Sequence, residues 1–285
     1  MRTYEELRSV LTNVVENEYK IPENIEIDGL LEDMLNFIGH PDYDFRDGLI
    51  YMSFIYFIEV HGYVKPDKMR EMLKVLMSES HLFYKIGENG TDSVFTRSFS
   101  ALAIALAFCL PEENSFLSID EVMEIKSKVL AYIDQEQDIR GYVDGKGWAH
   151  SVAHIADVML NLGGYEIDEK PALTKNDGME LLAAVNKLIR NREFVYATGE
   201  DERLVGVVIS MLVYTKVLNS NDVISWIDSF KMDDRAHWRK HTNVASFIEF
   251  SNCKMFMRSL YFSLINEVDY KEITDHLAKF LIEQE

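Results

Sequence analysis

The chain has 285 residues, of which 48 are acidic and 29 basic, so its formal net charge is −19. Nucleic acids and anionic membranes are bound through clusters of lysine and arginine, so this acidic excess argues against both as partners. The two cysteines, Cys109 and Cys253, are too few for a disulfide framework, and their apolar surroundings predict reduced core cysteines of a cytoplasmic protein.

The five prolines all lie between long segments whose apolar residues recur every three or four positions, which predicts uninterrupted helices. Two helix starts have local signals: Pro66 in a first turn, and a capping box formed by Ser118 and Glu121. Nothing in the sequence resembles a paired strand or hairpin of any length, so we expect an all-α fold. The twelve expected helices lie near residues 3–19, 26–39, 45–60, 66–79, 92–110, 118–135, 147–163, 174–190, 200–217, 220–230, 240–266 and 269–284.

Membrane insertion is not expected. The longest uncharged apolar runs, such as Leu204 to Thr215, span about a dozen residues, which is short of the roughly 20 that a bilayer requires. Residues 1–20 form a charged amphipathic pattern without the apolar core of a signal peptide.

Four of the expected helices are unusually apolar, and each carries a polar residue at an equivalent place near its start. These residues are separated by 50, 53 and 53 positions, which is the length of two helices with their connections: Asp47, Arg97, His150 and Arg203. Such a period predicts stacked antiparallel helical hairpins, either a HEAT/armadillo-like α-α superhelix or a closed α/α toroid. The four positions should then form one rim on the inner side. No linker interrupts the chain, so we expect a single domain over residues 1–285.

The helix expected at 147–163 has a polar stripe. On a helical wheel its members fall within about 60° of one another: His150, His154, Asp157 and Asn161. Asp157 is the only formally charged residue between Gly147 and Gly164, so the stripe should be enclosed and should need partners from the rim. The expected partners are Asp47, Arg97, Glu202 and Arg203.

The histidines of this stripe allow three interpretations. The network can be purely structural. In an enzyme, His150 or His154 would act as general base, with Asp157 orienting it. The two histidines can also share a metal, but Ser151 replaces the glutamate of the H-E-x-x-H motif, so further ligands such as Glu202 or Glu249 would be needed.

The stretch before this helix contains three glycines, Gly141, Gly145 and Gly147, with two basic residues, Arg140 and Lys146. Free amides at a helix start attract anions, so this loop is a candidate phosphate or carboxylate site. Its spacing does not fit a nucleotide-binding Walker loop. The alternative is a tight turn that positions Trp148.

One family resemblance is carried by Arg-Gly-Tyr-Val-Asp-Gly-Lys-Gly-Trp-Ala-His-Ser-Val-Ala-His-Ile-Ala-Asp at 140–157, together with the segments at 95–99, 201–203 and 258–262. This pattern resembles a bacterial all-helical family of unknown function, over about residues 44–262. The resemblance implies a bacterial, cytoplasmic, all-helical protein, and it brings no catalytic residue with it.

We expect a binding module that holds a small polar or anionic ligand, or a peptide segment, on the inner rim. The expected ligand-binding residues are Asp47, Arg97, Lys146, Trp148, His150, His154, Glu202 and Arg203. The alternatives are a hydrolase-type enzyme that uses His150 or His154 with or without a metal, and an acidic helical-repeat scaffold for a protein partner. The sequence indicates neither a cofactor nor an oligomeric state.

Overall fold

A computed structural model describes residues 1–111, 116–230 and 243–284, and the part of the chain that it describes is built mainly from helices, which confirms the all-α class. We number twelve helices: α1 (Tyr4–Glu16), α2 (Ile27–Asn36), α3 (Asp44–Tyr51, Met52–Ile55 and Tyr56–Val60 in succession), α4 (Pro66–Leu76), α5 (Ser93–Ala105), α6 (Ile119–Gln135), α7 (Ser151–Gly164), α8 (Lys175–Ile189), α9 (Glu200–Ile209, continued by Ser210–Tyr214), α10 (Ser220–Asp228), α11 (Val244–Leu264) and α12 (Lys271–Gln284). Residues 240–242 of the helix expected at 240–266 lie outside the described ranges.

The predicted helix starts at 66 and 118 are confirmed. Pro66 is the first residue of α4, after an extended Lys65. At α6, the Ser118 hydroxyl accepts the Glu121 backbone N–H at 3.3 Å, and the Glu121 carboxylate accepts the Ser118 N–H at 2.8 Å. These reciprocal bonds satisfy two of the N–H groups that a helix start leaves without intrahelical partners.

The expectation of no hairpin is wrong at two places. Strands β1 (Tyr142–Val143) and β2 (Gly147–Trp148) pair antiparallel, as do β3 (Glu166–Ile167) and β4 (Lys170–Pro171). In the first hairpin the Lys146 N–H donates to the Val143 carbonyl at 3.0 Å, and Gly145 takes a left-handed φ of +71°. A turn with a left-handed third residue favours glycine there, so the Asp144-Gly145 pair was a local hairpin signal.

The first hairpin shortens the helix expected at 147–163. Helix α7 begins at Ser151, and His150 precedes it with a left-handed φ of +44°. The carbonyl of His150 accepts the backbone N–H of His154 at 2.9 Å, so His150 is the residue that caps α7. The helical wheel therefore does not apply at His150, whose side chain direction is set by the hairpin.

The described residues fall into two compact units, Met1–Val158 and Met159–Glu285. Neither the single domain expected over 1–285 nor the superhelix of stacked hairpins is tested by this division, and both stay predictions. In the first unit, α3 packs against α1, and α4 packs against α5. Helix α5 is the most enclosed element of this unit, because every residue of it except Thr96 is buried.

In the second unit, α11 packs against α8, α9 and α12, and α10 packs against α12. Cys253 of α11 is buried, as expected for a core cysteine, but Cys109 is exposed, so its predicted core position is wrong. Both thiols are free. Among the helices of the described residues, none is both long enough and apolar enough to cross a bilayer.

Candidate functional site

A group of aromatic side chains stands on the first hairpin. Tyr142 and Trp148 are paired across the two strands, with ring centroids 4.9 Å apart in an edge-to-face arrangement. The His150 ring stacks on Trp148 at 4.3 Å and an interplanar angle of 22°. Tyr142 and Trp148 remain 53% and 38% exposed. We call these three residues the aromatic cluster, and it lies on the surface of the first unit.

A fully buried arginine of α3 holds this hairpin from beneath. The guanidinium of Arg46 donates from Nη2 to the carbonyl oxygen of Lys146 at 2.8 Å and to that of Trp148 at 3.4 Å. Its Nη1 donates to the carbonyl oxygen of His40 at 2.8 Å. Charged donors form stronger hydrogen bonds than neutral ones, so these contacts fix the backbone that carries the aromatic cluster.

The guanidinium of Arg46 also lies over two aromatic rings of α5. Its central carbon is 4.2 Å from the Phe95 centroid and 4.6 Å from the Phe99 centroid, within the range of cation–π attraction. The segment Asp44–Tyr51 that carries Arg46 is wound as a π-helix, a rare form that is frequent at functional sites but that Tyr56–Val60 and Ser210–Tyr214 also adopt. Sequence reasoning singled out its neighbour Asp47 and missed Arg46. No local signal distinguishes Arg46, because Asp44 and Asp47 flank it in the same segment.

Asp47 lies against the same guanidinium. Its Oδ1 is 2.8 Å from Arg46 Nε, although the two atoms lack the alignment of a hydrogen bond. Burial raises the pKa of Asp47 to about 6, and the nearby Arg46 charge only partly opposes this shift. Burial likewise lowers the pKa of Arg46. For both groups, therefore, the loss of hydration outweighs the attraction of the partner.

The raised pKa of Asp47 predicts a pH dependence of stability. A carboxyl whose pKa is raised on folding contributes stability that is present below about pH 4 and is lost as the pH rises through about 6. The free energy of unfolding of the wild type should therefore fall between about pH 4 and 7, by up to ~3 kcal/mol relative to Asp47→Asn. Urea unfolding of both proteins across this range measures the difference.

A matched control for this titration is Asp144→Asn, which removes an exposed carboxylate from the turn of the hairpin. If Asp47→Asn and Asp144→Asn follow the same pH dependence as the wild type, Asp47 does not control the transition.

His154 connects the aromatic cluster to the interior. Its buried ring makes edge-to-face contacts with His150 at 5.6 Å and with Phe99 at 5.0 Å, and its Nδ1 lies 3.2 Å from the carbonyl oxygen of Ser98. Ring contacts therefore run without a break from Trp148 through both histidines to Phe99. Among the described residues, no group of three or more His, Cys, Asp and Glu side chains could hold a metal ion.

Gly147 allows the hairpin to approach α3. A Cβ atom at Gly147 would lie 2.7 Å from the Cβ of Tyr43 and 3.2 Å from Arg46 Nη2, and the residue has a φ of +79°. We expect Gly147→Ala to lower the free energy of unfolding by about 2 to 4 kcal/mol, because steric overlap adds to backbone strain. Gly145→Ala has a similar φ of +71° but meets no atom within 4 Å, so it should cost only ~1 kcal/mol. Equal losses in urea unfolding would contradict this assignment of a packing role.

Arg97 was expected on the ligand-binding rim, but its donors are used inside the protein. Its side chain is fully buried, and it donates to both carboxylate oxygens of Glu136, at 2.6 and 2.8 Å. The same guanidinium donates to the Ser93 hydroxyl at 2.8 Å and to three backbone carbonyls between residues 84 and 88. These contacts connect α5 to the end of α6, and they give Arg97 a structural role.

The basic residues of the glycine-rich loop also have acidic partners. Lys146 Nζ lies 2.6 and 2.7 Å from the two carboxylate oxygens of Asp92. Arg140 donates to both carboxylate oxygens of the buried Asp138, at 2.8 and 2.6 Å. The loop forms a tight turn that ends at Trp148, and the anion site expected at its basic residues stays a prediction.

Residues 82–262 match the family described as "Protein of unknown function (DUF2785)". The chain belongs to this family. The matched residues include the hairpin with its aromatic cluster, whereas Arg46 and Asp47 lie outside them. No curated protein and no solved structure matches the chain.

The remaining predicted site residues of this DUF2785 protein lie outside the aromatic cluster. Asp157 is half-buried in α7, three residues after His154. Glu202 and Arg203 are exposed in the first turn of α9, in the second unit. Glu249, considered as a metal ligand, is buried and accepts hydrogen bonds from Arg190 at 2.9 Å and Arg192 at 2.8 Å.

Proposed function

We propose that the chain is a binding module and that the aromatic cluster holds a small polar ligand. The observation that carries this proposal is Trp148, a large apolar side chain that is 38% exposed although its backbone is fixed by a buried arginine. Flat aromatic faces held rigidly at a surface give binding energy at little entropic cost.

The proposed site is smaller than the rim expected from the sequence. It consists of Asp47, Trp148, His150, His154 and the newly identified Tyr142. Arg46 acts beneath it as a positioning residue, because it bonds to the hairpin backbone. Arg97 and Lys146 are left out, since carboxylates of the protein already occupy their donors.

We also propose that the protein is bacterial and cytoplasmic and that its helices stack as repeated antiparallel hairpins. The spacing of 50 to 53 residues between the starts of the apolar helices supports the repeat. The two free thiols support a reducing compartment.

The binding proposal is tested by ligand-detected saturation-transfer NMR with a library of small anions, sugars, polyols and organic cations at millimolar concentration. We expect hits with the wild type that are lost in Trp148→Ala. Tyr214→Ala is the matched control, because it removes a 70% exposed aromatic side chain from the second unit. Hits that persist in Trp148→Ala, or a wild type without hits, would overturn the proposal.

A further inference from the structure

The charges around the aromatic cluster are unbalanced. The nearby segments are 43–47, residue 92 and 138–148, and they contain five acidic and three basic residues. Each basic residue pairs with a carboxylate of the same group: Arg46 with Asp47, Arg140 with Asp138, and Lys146 with Asp92. The surface next to the cluster is therefore negative, and its positive charges are already neutralised.

Two carboxylates of this group are left over. Asp144 lies in the turn of the hairpin, and Asp44 follows Tyr43 at the start of α3; both are exposed, and neither forms an ion pair with any residue in the described ranges. Tyr43 is itself 46% exposed and packs against Gly147 of the hairpin. Three exposed aromatic side chains, Tyr43, Tyr142 and Trp148, thus share this surface with two carboxylates that lack a counter-charge.

Aromatic faces and carboxylates attract the same kind of ligand. The π-face of tryptophan is the best aromatic partner for a cation, and an unpaired carboxylate within about 10 Å adds Coulomb attraction. An anion would meet repulsion from Asp44 and Asp144 and would find the neighbouring lysine and arginines occupied. Charge complementarity therefore favours a positive ligand over the anion that the glycine-rich loop suggested.

We infer that the aromatic cluster binds a small organic cation, an alkylated ammonium group that lies against Trp148. This inference rests on the proposed binding function and names its ligand class. The cation would use the part of the Trp148 surface that His150 and Tyr142 leave exposed. Asp144 and Asp44 would supply charge without direct contact.

The test uses tetramethylammonium chloride as the probe, with sodium acetate and D-glucose as the anionic and neutral probes, at ionic strength held constant with sodium chloride. Saturation transfer to the C–H proton signals of each probe gives a dissociation constant for the wild type and each variant. We expect saturable binding of tetramethylammonium that weakens about tenfold in Trp148→Ala and two- to threefold in Asp144→Asn. Tyr214→Ala should bind like the wild type, and far-UV circular dichroism checks that each variant is folded.

Two results would overturn the inference. If acetate or glucose binds at Trp148 and tetramethylammonium does not, the ligand is not a cation, while the binding function stands. If tetramethylammonium binds equally well to Trp148→Ala, or does not bind to the wild type, the cation site is absent. The wider binding proposal fails only if the polar library also gives no Trp148-dependent hit.

Discussion

Replacing Arg46 by methionine is expected to lower the free energy of unfolding by about 3 to 5 kcal/mol. This is the usual cost of removing one partner of a buried ion pair while the other remains. The change leaves the carbonyl oxygens of His40 and Lys146 without their donor, and it leaves Asp47 without its counter-charge. Methionine fills a similar volume between Phe95 and Phe99, so the loss should come from polar groups rather than from a cavity.

Urea unfolding measures this loss, and limited proteolysis at the hairpin shows whether β1 and β2 are released. Arg46→Lys keeps the charge but not the planar fork, so it should lose an intermediate amount. Arg70→Met is the matched control, because the ion pair of Arg70 with Glu121 is about one-third exposed on both sides and should be worth less than ~1 kcal/mol. A hairpin that resists protease equally in Arg46→Met and the wild type would rule out that Arg46 holds it in place.

Arg97→Met should have an effect of similar size, also about 3 to 5 kcal/mol, because Glu136 is 5% exposed and would be left as a buried charge. The carbonyl oxygens that Arg97 serves near residues 84 to 88 would lose their donor as well. This loss should be the same with and without any added ligand, since it arises within the fold.

A double-mutant cycle separates this structural role from a binding role. Arg97→Met combined with Glu136→Met removes both charges, and it should recover part of the stability lost in Arg97→Met alone. If Arg97→Met instead unfolds like the wild type but no longer binds small polar molecules, Arg97 belongs to the ligand site, as the sequence first suggested.

The helices could be predicted from the sequence because their causes are local. Prolines occur between helices, apolar residues recur at helical spacing, and the capping partners Ser118 and Glu121 are three residues apart. A pattern of this kind needs no knowledge of the rest of the fold. The signal for the hairpin turn at Asp144-Gly145 is equally local. The polar stripe that includes His150 predicts a helix from residue 147, however, and that helix overlaps strand β2.

The candidate site could be predicted only in part. Trp148, His150 and His154 are predicted as one group because they are close in sequence, and the ring contacts show that they lie together. The roles of Arg46 and Arg97 were not predictable, because the hairpin carbonyl that Arg46 binds and the carboxylate that Arg97 binds lie 100 and 39 residues away in the chain. Whether a buried guanidinium faces a ligand or the protein's own carbonyls depends on packing that spacing does not encode.

The hydrogen bonds of Arg46 also have a kinetic consequence. They join residues 100 and 102 positions apart in the chain, from α3 to the hairpin. Contacts between such distant segments form slowly, because the intervening chain must first lose much of its conformational freedom. The aromatic cluster should therefore assemble late in folding, after the helices of the first unit have packed, and the environment of Trp148 becomes a reporter of the final step.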